Sequence, residues 1–391
     1  MRVLCLNSGS SSLKLALWEV GATERALVRG AVEGIGRERT TLWMRDEATD
    51  THDARDLPAH EHARAAEALF DALEQKHEGA LDAVGHRIVH GGPDHLVPTR
   101  VDDAVLAALR AATPFAPLHL PAELDTLEAA RRKHGGVPHV VCFDTTFHRD
   151  MPAVARRLPL PRALEAQGIR RYGFHGLSYA SIVDALGDAR AGRVIVAHLG
   201  SGASLCALRD GASCDTTMGF TPAGGVMMAT RSGDLDPGVL VHLMRAHGYG
   251  ADEVEALIAR ESGLRGVSGT SADMQALLEA RVRDSAADDA VSLFCHLVRK
   301  QVGALSAVLG GLDGLVFTGG IGQRAAAIRA EICAPLGYLG IALDPSANEA
   351  NAQVVSAPGS QCVVRVLPTD EERMIARSAA ALLDEACTTK Q

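Results

Sequence analysis

Two short turns of glycine and serine carry the residue types that grip an anion. LNSGSSSLKLAL at 6–17 and HLGSGASLCAL at 198–208 share one pattern with a single gap, and each follows an apolar stretch, 2–6 and 193–197. Backbone N–H groups in a small-residue turn approach phosphate oxygens closely, and the hydroxyls of Ser10 and Ser12 add donors. Lys14 adds a point charge. Two related phosphate-gripping turns imply a duplicated domain with a nucleotide held in the cleft between copies; taken alone, two unrelated hairpins would explain them as well. Neither a Walker A sequence nor a G-x-G-x-x-G fingerprint accompanies them. His60, Glu61 and His62 look like a metal pair but do not form H-E-x-x-H, and they fall at an expected helix start, so they are assigned to solvent.

The elements that must position such turns alternate along the chain. VLCLN, LKLALWEV and segments near 26–32 and 40–44 read as strands. A helix is expected at about 59–77, where Ala63, Ala66, Leu69, Phe70 and Leu73 share a face. AVGHRIVHGG reads as a buried strand ending in a glycine turn, and Asp102 as the cap of a short helix that stops before Pro114. A helix at 120–134 ends at Gly135 and Gly136, and the strand HVVCFDTTFH puts Asp144 at its C-terminal end, where open α/β sheets place ligand groups. The second half runs the same way: strands from 193 to about 217, a long helix near 288–309, the strand and glycine loop GLVFTGGIG, and a last helix at about 371–386. With no low-complexity linker, the boundary near residue 150 reads as a hinge.

At 391 residues the chain suits two or three domains, and 47% hydrophobic with 22% charged residues is ordinary for a globular protein. A net charge of −9 without a basic run argues against nucleic acid as partner, so single arginines and lysines become informative. Eight scattered cysteines without a C-x-x-C pair read as small core residues of a reducing compartment. No apolar run approaches the length of a membrane span, and a strand beginning at residue 2 leaves no room for a signal peptide, so the expected location is the cytoplasm.

The strings LNSGSSSLK, HRIVHGG, APLH, FDTTFH, RRYGFHG, AHLGSG, MMATRSGDLDPG, GVSGTSADM, FTGGIG and TDEE occur in the order found in the acetate kinase family. By this resemblance, spanning residues 3 to about 377, the chain is identified as a member. The resemblance implies an α/β protein of two duplicated RNase H-like domains, as in the acetate and sugar kinase, Hsp70 and actin superfamily, with an active-site cleft between them. The expected domains are 1–149, completed by a helix at 373–391, and 150–372, the latter carrying nucleotide and dimer contacts. The implied reaction is reversible in-line transfer of the ATP γ-phosphoryl group to acetate, giving acetyl phosphate and ADP, with Mg2+ or Mn2+. A homodimer is implied too, with no nucleic acid or membrane partner.

A carboxylate acceptor is already ionised at neutral pH, so the reaction needs no base to remove a hydroxyl proton. It needs positive charge to bring two anions together. Arg87 and Arg231 suit that task through their planar forks. The resemblance implies that Arg87 lies near the acetate carboxylate, and that Arg231 and His175 stabilise the transferring group. It assigns His119 a supporting contact, and Val89, Leu118, Phe174 and Pro222 the pocket around the methyl group. Asp144, a catalytic residue, and Glu371 match the metal carboxylates, Asn7 the metal's water shell. Ser10, Ser12, Lys14, His198, Leu199, Gly200, Ser201 and Gly202 match phosphate-side positions. Asp273, Met274, Gln275, Gly319, Gly320, Ile321 and Gly322 match the adenosine side, where glycines let backbone approach the base and ribose.

The chain departs from the family pattern at Leu177 and Tyr179 in GFHGLSY (usually GFHGTSH), at Ser201 (usually asparagine), at Gln275 (commonly arginine) and at Leu120 and Glu123 in APLHLPAE (usually APLHNPAN). The first three fall on the nucleotide or phosphate side and bear on the choice of phosphoryl donor. Propionate kinase activity is the nearest alternative, since one methylene is worth only about 1–3 kcal/mol of discrimination. A nucleotide-dependent clamp of the same fold is a further one, though a clamp has no use for an acetate-sized pocket.

Overall fold

The computed structural model describes every residue except Ser10, Arg37, 58–60, Glu78 and 389–391, and of 386–388 the backbone alone. The chain forms two compact units, Met1–Thr146 with Asp370–Gln391, and Phe147–Thr369. Both divisions fall a few residues before the expected ones, and the second falls within TDEE, after Thr369, so that Asp370, Glu371 and Glu372 belong to the first unit.

The first unit is built on eight strands: β1 Arg2–Ser8, β2 Ser12–Glu19, β3 Arg25–Glu33, β4 Thr41–Asp46, β5 His52–Asp56, β6 Ala83–Ile88, β7 Thr99–Arg100 and β8 His139–Phe143. Their order is β5-β4-β3-β2-β1-β6-β8-β7. β1, β6 and β8 run parallel, whereas β1 through β5 form an antiparallel meander. The β5 strand was not expected from the sequence, because HDARD is polar and fully exposed, an edge without the apolar alternation that marks a strand. The expected helix at 59–77 forms as His62–Lys76 and packs Ala65, Ala66, Leu69, Phe70 and Leu73 against Leu4, Leu6, Leu15 and Val32. The Glu371–Thr388 helix covers the other face, close enough that a Cβ on Gly85 would lie 2.5 Å from Cγ2 of Ile375.

The second unit has a five-stranded sheet of β9 Arg193–Leu199, β10 Ala203–Arg209, β11 Ala212–Thr216, β12 Gly314–Thr318 and β13 Val363–Val366, ordered β11-β10-β9-β12-β13. β9, β12 and β13 are parallel, and β9 through β11 antiparallel. This repeats β3-β2-β1-β6-β8 strand for strand and direction for direction, so the duplication suggested by two similar turns extends to the whole sheet. The long helix runs Ser285–Leu309, capped by the Asp284 side chain and ended by Gly310 in the left-handed region. The Gly176–Leu186 helix packs Tyr179, Ile182 and Leu186 on Val194, Val196 and Cys206. FTGGIG is not a loop: Thr318 ends β12 and Gly319–Arg324 is already helical. Gly319 makes that abrupt change possible, with φ +76° and no room for a Cβ, which would sit 2.6 Å from the Leu199 carbonyl oxygen.

Candidate active site

In the first unit, strand alternation sorts the side chains. Val3, Cys5 and Asn7 of β1 share one face, and the parallel register sets Cys5 beside Gly85 and Gly85 beside Val140. Two residues on, Asn7, Arg87 and Cys142 continue that face, and Asp144 follows just past the end of β8. The functional groups therefore gather at the C-terminal ends of three parallel strands, where the covering helix begins at Glu371. Asn7 Nδ2 donates to Glu371 Oε2 at 2.8 Å and to Glu372 Oε1 at 3.2 Å. Arg87 Nη2 donates to Asp144 Oδ2 at 2.6 Å, and Nε reaches the same carboxylate at 3.2 Å. Nη1 donates to the Ser8 carbonyl at 3.0 Å and to Glu123 Oε1 at 3.4 Å. Burial opposes the charge of Arg87, but Asp144 and Glu123 outweigh it and hold the guanidinium ionised.

Glu123 is the member of this cluster that sequence reasoning noted only as a departure. It is buried on the Leu120–Lys133 helix and accepts the Val89 N–H at 2.9 Å through its other oxygen. Burial raises its carboxyl from 4.5 to about 7, against the pull of Arg87 and the Val89 N–H and with help from Asp144. The two carboxylates share one guanidinium: Asp144 holds the close bidentate place, and Glu123 is left with a longer contact that does not offset its burial.

Lys14 lies opposite Asn7 in the β1–β2 register, exposed, and lowers the Glu372 carboxyl that burial raises. Gly9 N–H donates to the Ser12 carbonyl at 2.8 Å, closing the first turn; Ser10 lies outside the described residues. His62, assigned to solvent from sequence, is instead half-buried and bonds the Gly9 carbonyl through Nε2 at 2.8 Å. His62 opens its helix facing this turn, a contact invisible in the local pattern. Leu118 and His119 are half-buried in the turn preceding the Leu120–Lys133 helix, with His119 at its N-cap, and Val89 is buried just past β6.

In the second unit His175 sits in the left-handed region, φ 58° and ψ 26°, at the N-cap of the Gly176–Leu186 helix. A non-glycine residue there is uncommon and strained, a cost met mostly at functional positions. His175 Nδ1 bonds Ser204 Oγ at 2.8 Å, and its ring stacks on His198 at 4.3 Å between centroids. His198 Nδ1 in turn bonds Ser178 Oγ at 2.8 Å. A Cβ on Gly202 would lie 3.2 Å from His175 Nε2 and 3.6 Å from Arg231 Nη1, so both groups converge on the side-chain-free face of the second turn. Arg231 Nη1 also donates to the carbonyl of buried Pro222 at 3.1 Å. Phe174 is buried, and its carbonyl bonds His148 Nε2.

Asp273, Met274, Gln275, Gly320 and Ile321, expected on the adenosine side, line with Gly200, Ser201 and others a cavity of about 350 Å3. Gly319 and Gly322 are buried behind it, and the Leu199 carbonyl packs against Gly319. Asp273 also caps the Met274–Ala280 helix, accepting the Ala276 N–H at 2.9 Å. Gln275, noted above as a departure from the family pattern, bonds Glu279 at 3.2 Å. Arg324 lines the same cavity and went unnoticed from sequence, since it lies beyond the glycine motif; it puts a cation where Gln275 does not.

The chain matches the Acetokinase family over residues 2–377. It is 44% identical to the acetate kinase of Rhodopseudomonas palustris over 98% of both chains. Among solved structures it resembles Porphyromonas gingivalis acetate kinase, with 38% identity, a TM-score of 0.85, and 98% of this chain and 99% of that one covered. It also resembles a propionate kinase from Francisella tularensis, with 35% identity, a TM-score of 0.89, and 96% and 98% covered.

Proposed function

This chain belongs to the Acetokinase family, and from that premise we propose how its own residues perform the family's reaction. It is an acetate kinase: it transfers the γ-phosphoryl group of ATP to the acetate carboxylate, giving acetyl phosphate and ADP. The observation that carries the assignment of roles is the convergence of Arg231 and His175 on Gly202, in the turn whose Gly200 and Ser201 line the cavity.

Adenosine occupies that cavity, with Asp273 at the ribose and Arg324 as an added cation, and the phosphates extend along the 200–202 turn toward His175. Ser12 and Lys14 act on the phosphates too. In a loose phosphoryl transition state the charge rests on the peripheral oxygens, so fixed donors contribute more than any bond-making side chain. Arg231 supplies charge and His175 an N–H there. Arg87 binds the acetate carboxylate, which replaces Glu123 as the acceptor at Nη1, the longest of the Arg87 contacts. Asp144 keeps the guanidinium plane fixed while this happens. The methyl group is assigned to Val89, Leu118, Phe174 and Pro222, and His119 supports that end.

For Mg2+ the available donors are few and oxygen-rich. Glu371 and Glu372 share the Asn7 amide, and burial, with the repulsion of Glu371 added, raises the Glu372 carboxyl, a cluster that gains from a cation. An ion that keeps several waters needs only one or two such carboxylates. Glu371 and Asp144 would hold it, with Asn7 orienting its water, and it would neutralise phosphate charge.

A homodimer fits the second unit, where the Pro237–Ala246 helix buries none of its residues and leaves Val239, Val241 and Met244 exposed. The described thiols are all free, and burial raises most of them, which suits a reducing compartment such as the cytoplasm. Trapping with hydroxylamine tests the function: acyl hydroxamate forms from acetate only when ATP and Mg2+ are both present, and forms more slowly from propionate. No product with any short carboxylate would end this reading. The same assay with GTP and pyrophosphate fixes the donor.

A further inference from the structure

Of the five N–H groups of Arg87, one on Nε and one on Nη2 face Asp144, and the two on Nη1 go to the Ser8 carbonyl at 3.0 Å and to Glu123 Oε1 at 3.4 Å. A single N–H on Nη2 is left over. Two parallel N–H groups grip a carboxylate most strongly, so a substrate held end-on by Arg87 needs that proton together with one from Nη1. The Ser8 carbonyl is fixed at the end of β1, where Ser8 pairs with Leu13 of β2. Glu123 is a side chain, and its contact is the longer of the two. We infer that Glu123 sets the affinity for acetate by competing with the substrate carboxylate for Nη1 of Arg87. The inference rests on Arg87 being the acetate-binding arginine.

The Glu123 carboxylate spans the residues assigned to the two ends of acetate. Oε1 meets Arg87, at the carboxylate end, and Oε2 accepts the N–H of Val89, at the methyl end, at 2.9 Å. An internal carboxylate is thus lodged beside the place of the external one. Arg87 has one positive charge, which Asp144 already pairs closely, and Glu123 and Glu371 add further negative charge around it. Acetate arrives as one more anion, so an ionised Glu123 opposes it twice, by holding Nη1 and by repulsion. The last side-chain torsion of a glutamate is soft, and a turn of the carboxyl about it releases Nη1 with the Leu120–Lys133 helix in place. The family pattern usually has a neutral asparagine here, and this chain adds a charge.

Acetate kinetics of the full-length protein at pH 8, above the value of about 7 to which burial raises the Glu123 carboxyl, test this. Glu123→Gln keeps the shape but has one acceptor oxygen for two donors; the Val89 N–H, the closer of them, retains it and Nη1 is left to the substrate. KM for acetate is expected to fall about tenfold in this variant, with KM for ATP unchanged. Glu123→Asn, which restores the usual residue, shifts KM for acetate in the same direction. Loss of a purely structural contact acts the opposite way, raising KM or lowering kcat. A KM for acetate unchanged or raised in either folded variant overturns the inference. Arg87→Gln separates this from the role of Arg87. An unchanged KM for acetate there removes Arg87 as the acetate-binding residue, whereas a raised one, beside no gain in Glu123→Gln, strikes the role of Glu123 alone.

Discussion

At the scale of single residues, placement of charge decides the chemistry. Glu123 gives the pH-dependent consequence. Its carboxyl rises from 4.5 in the unfolded chain to about 7 in the fold, chiefly through burial, so the folded state binds its proton more tightly. The stability this contributes is complete below pH 4.5 and is lost as pH rises toward about 7. Glu123→Gln keeps the neutral shape, so its stability relative to wild type should climb between pH 5 and 8 by on the order of 2–3 kcal/mol. Urea denaturation at the two pH values checks this, and a constant difference would show that Glu123 titrates normally. Arg324 carries a second expectation. Since Arg324 lines the cavity proposed for adenosine, its removal in Arg324→Ala should raise KM for ATP about tenfold with kcat and KM for acetate little changed. An unaltered KM for ATP would place its guanidinium in solvent.

Among the elements, the junction of β12 with the Gly319–Arg324 helix is the tightest. Gly319→Ala asks for both a left-handed backbone and room beside the Leu199 carbonyl, so it should cost at least about 2 kcal/mol and weaken ATP binding. A thermal melt unchanged by this substitution would contradict that reading. The same junction shows where sequence reading reached its limit. The apolar run 314–318 announced a strand, but glycines read as a loop when geometry made them a helix N-terminus. Long amphipathic or apolar elements were legible because burial writes their period into the chain. The β5 edge was not, since an exposed polar strand carries no apolar alternation, nor were the His62 contact with Gly9 and the pairing of Glu123 with Arg87, which join residues distant in sequence. Arg87, Asp144 and Glu371 had recognisable motifs, yet only strand register explains why they meet.

Over the whole molecule, the two sheets repeat one topology, and the repeat has been put to different uses. The first copy gathers carboxylates around Arg87 and Glu371; the second replaces them with a cavity, a histidine pair and Arg231. The turn sequences alone hinted at this duplication, whereas the matching strand order establishes it. The proposed homodimer belongs to this scale as well. Val241→Glu with Met244→Glu should convert a dimer to a monomer in light scattering, and an intact dimer would move the interface elsewhere. The central claim of the proposed function is that Arg87 and Arg231 are both required for phosphoryl transfer. It is tested most directly by the rate of acetyl phosphate formation, at saturating ATP and Mg2+, in Arg87→Ala and Arg231→Ala. The account predicts a loss of at least two orders of magnitude in each, about 3 kcal/mol. Wild-type turnover in either folded variant would contradict it.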